Sequence, residues 1–122
     1  MKYLCLVYLD ENRLDELPDR ECVAYDRAIR QSGHCLASEA LQSVHSATTV
    51  RVRNGKLAVT DGPFAETKEQ LAGFYMIEAR DLDEAIQVAA GIPPARVGSI
   101  EMRPIRPIRE SVAEAEAQQQ AR

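Results

Sequence analysis

One continuous segment, residues 47–90, constrains the fold of this chain more than any other part of the sequence. It contains two short strand-like runs around Asn54-Gly55, a pair that favours a tight hairpin because a type I′ turn needs two positive φ angles. An Asp-Gly-Pro-Phe corner at residues 61–64 then leads into an apolar strand. Asp81 and Glu84 form a capping box that begins a helix. The segment therefore predicts a hairpin, a corner, a strand and a helix in this order.

The rest of the chain predicts further strands and a second helix. Pro18 and Asp19 open a helix that Gly33 ends, and its residues Val23 and Ile29 are expected to face a sheet. In the helix after Asp81, the predicted apolar stripe is Leu82, Ala85, Ile86 and Ala89. The predicted strands are residues 2–9, 34–41, 48–53, 56–60, 71–79 and 99–105. This order is that of a ferredoxin-like α+β sheet with two helices on one face.

The first strand indicates how the domain assembles. Residues 2–9 are apolar on both alternating faces, which is typical of a central strand that is covered twice. Since two helices cover only one face of such a sheet, we expect a second copy of the chain to cover the other. Face-to-face pairing of two sheets would give a homodimeric α/β barrel. Residues 1–108 are predicted to form this single domain, and residues 109–122 a disordered or frayed helical tail.

Composition excludes several classes of function. The 15 basic and 19 acidic residues give a net charge of −4, which disfavours direct binding to nucleic acid. The apolar run at residues 4–9 is far shorter than the roughly 20 residues of a membrane span, so we expect no membrane partner and a cytoplasmic location. The three cysteines have no Cys-x-x-Cys spacing. We therefore expect reduced thiols, no metal and no cofactor.

The corner that begins at Asp61 has two interpretations. In the structural one, Asp61 bonds nearby amides, Gly62 relieves backbone strain and Pro63 fixes φ, while Phe64 anchors the corner in the core. In the functional one, the corner places the Asp61 carboxylate at the mouth of a cleft, where it acts as an acid, a base or a ligand acceptor. Turn chemistry alone would select each of these residues, so the pattern leaves both interpretations open.

Four other polar residues complete the predicted site. Glu66 and Lys68 follow the corner and can bind a polar ligand or merely solvate a loop. Arg51 can hold a carboxylate or phosphate, or form the polar face of the hairpin. His45 can act as a general base, although a surface histidine is the simpler interpretation. We predict Arg51, Asp61, Glu66 and Lys68 as ligand-binding residues, and Asp61 and His45 as catalytic candidates.

Four blocks of sequence closely resemble the DGPF group of the YCII-related family, and together they span about residues 2–105. The blocks are KYLCLVY, SEALQSVHSATTVRVRNGK, TDGPFAETKEQLAGFYMIEARDLDEAI and IPPARVGSIEMRPI. The resemblance implies a ferredoxin-like fold that assembles as a dimeric α/β barrel. A His-Asp pair has been suggested as catalytic in the wider family. Here Cys22 or a near neighbour falls at the His position and Ile92 precedes Pro93, so the resemblance does not carry this pair over.

Two functions follow as hypotheses. The first is a homodimer that binds a small polar molecule in a cleft near Asp61, either as a binding protein or as an enzyme of unspecified reaction. The alternative, implied by the resemblance, is a non-catalytic regulatory module that binds a protein partner in a sigma-type transcription factor system. Replacing Asp61 with asparagine separates the structural from the functional interpretation of the corner.

Overall fold

The computed structural model describes residues 1–120 of the chain, which form a mixed α+β structure. The elements are β1 (Lys2–Leu9), α1 (Asp19–Gln31), β2 (Cys35–Ala40), β3 (Thr48–Arg53), β4 (Lys56–Asp61), β5 (Gln70–Glu78), α2 (Leu82–Ala90), β6 (Ser99–Pro104) and α3 (Ile108–Gln120). Three short 3₁₀ helices span Glu11–Glu16, Val44–Ser46 and Pro93–Arg96. The predicted α+β class and order of elements are thus confirmed.

The main sheet has four antiparallel strands in the order β2-β5-β1-β6. The central strand β1 pairs with β5 on one side and with β6 on the other, so that Cys5 lies between Tyr75 and Met102. This order is compatible with the ferredoxin-like α+β fold. The strands β3 and β4 form a separate two-stranded sheet.

The helices α1 and α2 pack on the same face of the main sheet. The core contains the inward residues of β1 and β5, Ile29 from α1, and Ala85 and Ala89 from α2. Ile77 of β5 and Ile92, which follows α2, are completely buried. The small alanine side chains let α2 lie close to the sheet, whereas α1 contributes one large buried residue, Ile29.

Local sequence signals explain where the elements begin and end. Asp81 accepts a hydrogen bond from the Glu84 backbone N–H at 2.9 Å, which caps α2. The Glu84 carboxylate accepts from the Arg80 N–H at 3.3 Å, so the return bond of the predicted box lies one residue earlier than expected. Gly33 follows α1 with a φ of 84°. Asn54-Gly55 has φ values of 53° and 73°, which confirms the predicted type I′ hairpin.

The second face of the main sheet is half-buried in the single chain. We call it the open face, and it consists of Leu4, Leu6, Tyr8, Phe74 and Met76. Strand register places Leu4 beside Met76 and Leu6 beside Phe74. The predicted two-sided apolar character of β1 is therefore present, but both helices of the core lie on the other side.

Several predicted core contacts are wrong. Val23 is 55% exposed, because it lies on the side of α1 that borders a cleft. Phe64 is 77% exposed, and its ring contacts the Arg51 guanidinium, 5.4 Å from the ring centroid, instead of the core. Leu82 and Ile86 are also exposed, since α2 turns Ala85 and Ala89 to the sheet and packs Val88 partly against the core.

The tail forms the helix α3, and none of its described residues is buried. A helix of this length without tertiary packing is marginally stable in water. Fraying of the tail in solution stays a prediction, and the last two residues of the predicted tail lie outside the described region. Across residues 1–120, no helix combines the length and apolar character needed to cross a membrane.

Candidate functional site

The predicted Asp61 corner is held by the backbone. Gly62 has a φ of 110°, a conformation that favours glycine. Its N–H donates to the Ala47 carbonyl at 2.7 Å, and its carbonyl accepts from the Thr49 hydroxyl at 2.9 Å. The Asp61 side chain is exposed and makes no hydrogen bond to residues 1–120, so its predicted bonding to nearby amides is wrong. Glycine and proline geometry, rather than the carboxylate, shapes the corner.

Three of the predicted site residues lie together beside this corner. Asp61, His45 and Glu66 line a depression of about 530 Å³. Arg51 and Lys68 do not line it. Arg51 is on the hairpin and contacts Phe64 of the corner, and Lys68 is exposed in the following loop. The structure thus brings part of the predicted set together, and its role in binding or catalysis stays a prediction.

Glu11 is a neighbour of this depression that the sequence analysis did not identify. Its carboxylate accepts from the Val44 N–H at 2.7 Å and from the Ser43 hydroxyl at 2.8 Å. These hydrogen bonds lower the pKa of Glu11. They hold the 3₁₀ turn that carries His45, across a sequence distance that no local pattern reveals.

A second cavity, of about 510 Å³, lies between α1 and the β2 side of the sheet. We call it the α1–β2 cleft. Its walls include Val7 and Leu9 from β1, Leu14 and Leu17 from the following turn, Cys22, Val23 and Asp26 from α1, Ser38 and Glu39 from β2, and Tyr75 from β5. Most of these side chains are apolar. A mainly apolar cavity with a few convergent polar groups is the usual form of a small-molecule site.

Tyr75 lies in the wall of the α1–β2 cleft with only 9% of its surface exposed. Its ring packs edge-on against Tyr25, with the centroids 6.4 Å apart. The Tyr75 hydroxyl makes no hydrogen bond within residues 1–120. Every side-chain nitrogen or oxygen of this region that is fully shielded from solvent does have a partner, so the Tyr75 hydroxyl is not among the shielded atoms. The hydroxyl is therefore open to the cleft and available to a ligand.

Two further polar groups adjoin Tyr75. Asp26 accepts hydrogen bonds from Arg30 Nε at 2.9 Å and from the Ser38 hydroxyl, which together orient its carboxylate. Burial raises the pKa of the Cys22 thiol, and the neighbouring Asp19 and Glu21 raise it further. Because the thiolate is the reactive form, Cys22 is a poor nucleophile at neutral pH. The cleft therefore has hydrogen-bonding groups suited to binding rather than an activated nucleophile.

The ionisation of Tyr75 provides a direct test of this environment. Burial raises the pKa of Tyr75 from 10.0 to about 12, with nearby Cys22 and Asp26 adding to the shift. The difference in spectrophotometric titration between the wild type and Tyr75→Phe should therefore show one phenol that ionises near pH 12. A midpoint near pH 10 would contradict the buried environment. Since the pKa of Tyr75 is raised in the folded state, the contribution of Tyr75 to the free energy of unfolding is present below pH 10 and is lost as the pH rises from 10 to 12.

Sequence reasoning missed the α1–β2 cleft as a site. Asp26, Ser38 and Tyr75 come from a helix and two strands that are distant in the sequence, and none belongs to a motif. The only local signal is Asp26, a polar residue midway between Val23 and Ile29, which were expected to face the sheet. Within residues 1–120, no cluster of three or more His, Cys, Asp or Glu side chains could hold a metal ion.

Comparison with known proteins agrees with the sequence resemblance. Residues 1–109 match the family model described as YCII-related domain. The chain is 39% identical over 114 residues to an uncharacterized protein of Rhizobium meliloti (strain 1021), an alignment that covers 86% of this chain and 92% of that protein. Membership of the narrower DGPF group stays a prediction. Because the match extends over almost all of the α+β domain, the chain belongs to the YCII-related family.

Proposed function

We propose that the protein is a homodimer that binds a small, partly apolar molecule in the α1–β2 cleft. The observation that carries this proposal is Tyr75, a residue nine-tenths buried in the wall of an apolar-lined cavity, whose accessible hydroxyl lacks a partner within residues 1–120. A ligand that forms a hydrogen bond with this hydroxyl would gain free energy of binding from it. A cavity of about 510 Å³ is also within the size range of ligand sites.

The open face of the sheet supports the dimer. Its five large side chains are contiguous across β1 and β5, and they are only half-buried within residues 1–120. Exposed apolar patches of this kind are common at protein interfaces. Two open faces stacked on each other form the dimeric α/β barrel, an isologous assembly in which each sheet covers the other.

The depression at the Asp61 corner is a second candidate location for the ligand. It is favoured by the juxtaposition of Asp61, His45 and Glu66, which offers two carboxylates and an imidazole to a polar molecule. A regulatory module with a protein partner in a sigma-type transcription factor system is the alternative function. Under both hypotheses we expect the protein to be cytoplasmic.

Native mass spectrometry of the protein purified from cells that produce it naturally tests the proposal. We expect a dimer of the 13.6 kDa chain that carries an additional small mass. The substitution Val23→Phe, which fills the cleft from an exposed position, should remove that mass. The matched control Val59→Phe, at an equally exposed valine on the hairpin, should retain it.

The other outcomes are informative. If Asp61→Asn removes the mass while Val23→Phe retains it, the ligand binds at the corner instead of the cleft. A dimer without added mass would contradict the small-molecule function and favour the interaction module. A monomer would contradict the proposed assembly.

A further inference from the structure

The β3–β4 hairpin has an uncovered apolar face. Its strands pair only with each other, and all of their residues except Thr49 are exposed. The register places Val50 opposite Val59 and Val52 opposite Leu57, so these four side chains share one face of the two-stranded ribbon. Each of them is at least 59% exposed within residues 1–120. We call these four residues the hairpin face. A contiguous exposed apolar surface of this kind is typical of an interaction site.

The C-terminal helix α3 is uncovered in the same way. Ile108, Val112 and Ala115 recur at helical spacing and therefore share one side of the helix. Every residue of α3 is exposed within the described region, including Ile108 at 53% and Val112 at 49%. The 13 residues of α3 extend about 20 Å, and each six-residue strand of the hairpin has about the same length. The apolar side of α3 thus matches the hairpin face in length.

The hairpin and α3 carry opposite net charge. Residues 48–61 contain three basic residues and one acidic residue, whereas residues 108–120 contain one basic residue and three acidic residues. None of these side chains belongs to an ion pair within residues 1–120. Arg51, Arg53 and Lys56 lie on the reverse face of the ribbon, so an apolar contact at the hairpin face would bury no charge. Opposite charges at this distance steer two elements together.

The hairpin and α3 leave the main sheet at opposite ends. The hairpin lies between Ala40, the last residue of β2, and Gln70, which pairs with Leu9 at the end of β1. The helix follows Pro104, which pairs with Tyr3 at the start of β1. In two stacked sheets, a two-fold axis that runs across the strands places each end of one protomer beside the opposite end of its partner. Such an axis brings the α3 of one protomer to the hairpin of the other.

We propose that α3 of each protomer packs across the hairpin face of the other protomer, so that the homodimer contains two reciprocal contacts of this kind. Pairing of two hairpin faces would bring together elements of like charge, and the open face of each sheet is already covered in the proposed dimer. Charge, length and position therefore favour α3 of a second copy as the occupant. The predicted fraying of the tail then applies to the separated chain. This inference rests on the homodimer of the proposed function and extends its interface beyond the sheets.

Hydrogen exchange of α3 tests this contact, because an unpacked helix of this length exchanges its amides freely. We expect the amides of residues 111–120 in the wild-type dimer to exchange about tenfold more slowly than in the double variant Val52→Thr, Leu57→Thr. Threonine retains strand propensity and removes two apolar side chains from the hairpin face. The control Ala58→Thr introduces the same residue on the reverse face and should retain the slow exchange.

A mixed dimer distinguishes a contact between protomers from packing within one chain. The double variant of the hairpin, with its α3 unaltered, is refolded from urea together with a full-length chain that carries Ile108→Ser and Val112→Ser. Neither chain has both an unaltered α3 and an unaltered hairpin face, but the mixed dimer has both. Native mass spectrometry verifies the mixed dimer, and the α3 peptides of the two chains differ in mass. We expect the unaltered α3 to regain its slow exchange in the mixture.

The results separate this inference from the proposed function. If α3 exchanges freely in a wild-type dimer, the contact is overturned, the homodimer stands and the hairpin face is left to another partner. Slow exchange that persists in Val52→Thr, Leu57→Thr would overturn the hairpin face as the site of packing. Slow exchange that is lost in this variant and does not return in the mixed dimer would overturn the contact between protomers. A monomeric wild type would overturn both the contact and the homodimer, whereas the mass lost in Val23→Phe tests the cleft independently of α3.

Discussion

Replacing Ile77 with alanine is expected to lower the free energy of unfolding by about 4 kcal/mol, the largest effect of any substitution considered for this protein. Ile77 is fully buried at 0% exposure in the middle of β5. It lies between Tyr3 of β1 and Cys35 of β2, so atoms from three strands surround the side chain. Truncation would remove apolar contacts and leave a cavity that these paired strands cannot collapse to fill.

The matched control is Ile86→Ala on α2. Ile86 is 48% exposed, and alanine is the better helix former, so this substitution should cost less than about 1 kcal/mol. Urea unfolding followed by circular dichroism measures both values. Each protein should be measured at several concentrations, since a dimer couples stability to concentration. Equal losses in the two variants would contradict the assignment of Ile77 to the core.

Replacing Gly98 with alanine is expected to cost about 3 kcal/mol. A Cβ atom at this position would lie 2.1 Å from the Tyr8 carbonyl oxygen and 3.2 Å from the Leu9 Cα. Both contacts are to the backbone of β1, so no side-chain rotation can relieve them. The segment before β6 would have to move away from β1, which weakens the pairing of Tyr8 with Ser99.

Gly33→Ala is the control that separates steric contact from backbone strain. Gly33 has a positive φ but no atom within 4 Å of an added Cβ, so its substitution should cost only about 1 kcal/mol. Urea unfolding again gives the two free energies. Hydrogen exchange of the β6 amides should increase in Gly98→Ala and stay unchanged in Gly33→Ala. A loss in Gly98→Ala no greater than that in Gly33→Ala would contradict the close approach.

The sequence predicted best those elements whose structure depends on residues close together in the chain. Asn54-Gly55 specifies its turn through its own φ angles, and Asp81 caps α2 through an amide three residues away. Nearly continuous apolar runs identified β1 and β5, because a central strand that is covered on both faces is apolar at successive positions. The helices and strands then gave the α+β class, and four sequence blocks indicated the family.

The side chains predicted less well are those whose surroundings come from other elements. Helical spacing grouped Leu82 and Ile86 with Ala85, but the extent of the sheet under α2 decides which of them is buried. Val23 lies beside a cleft because the sheet does not fill the space next to that part of α1. Phe64 lies outside the core, although its apolar character alone suggests burial.

The sequence by itself determined the hairpin, the helix cap, the α+β class and the family of this protein, because each depends on neighbouring residues or on a contiguous pattern. The tertiary structure alone decided which polar groups meet in the α1–β2 cleft. Asp26, Ser38 and Tyr75 come from three separate elements, and only the packing of α1 beside β2 and β5 brings them together. Burial against that packed wall is what raises the pKa of Tyr75 and leaves its hydroxyl facing the cavity.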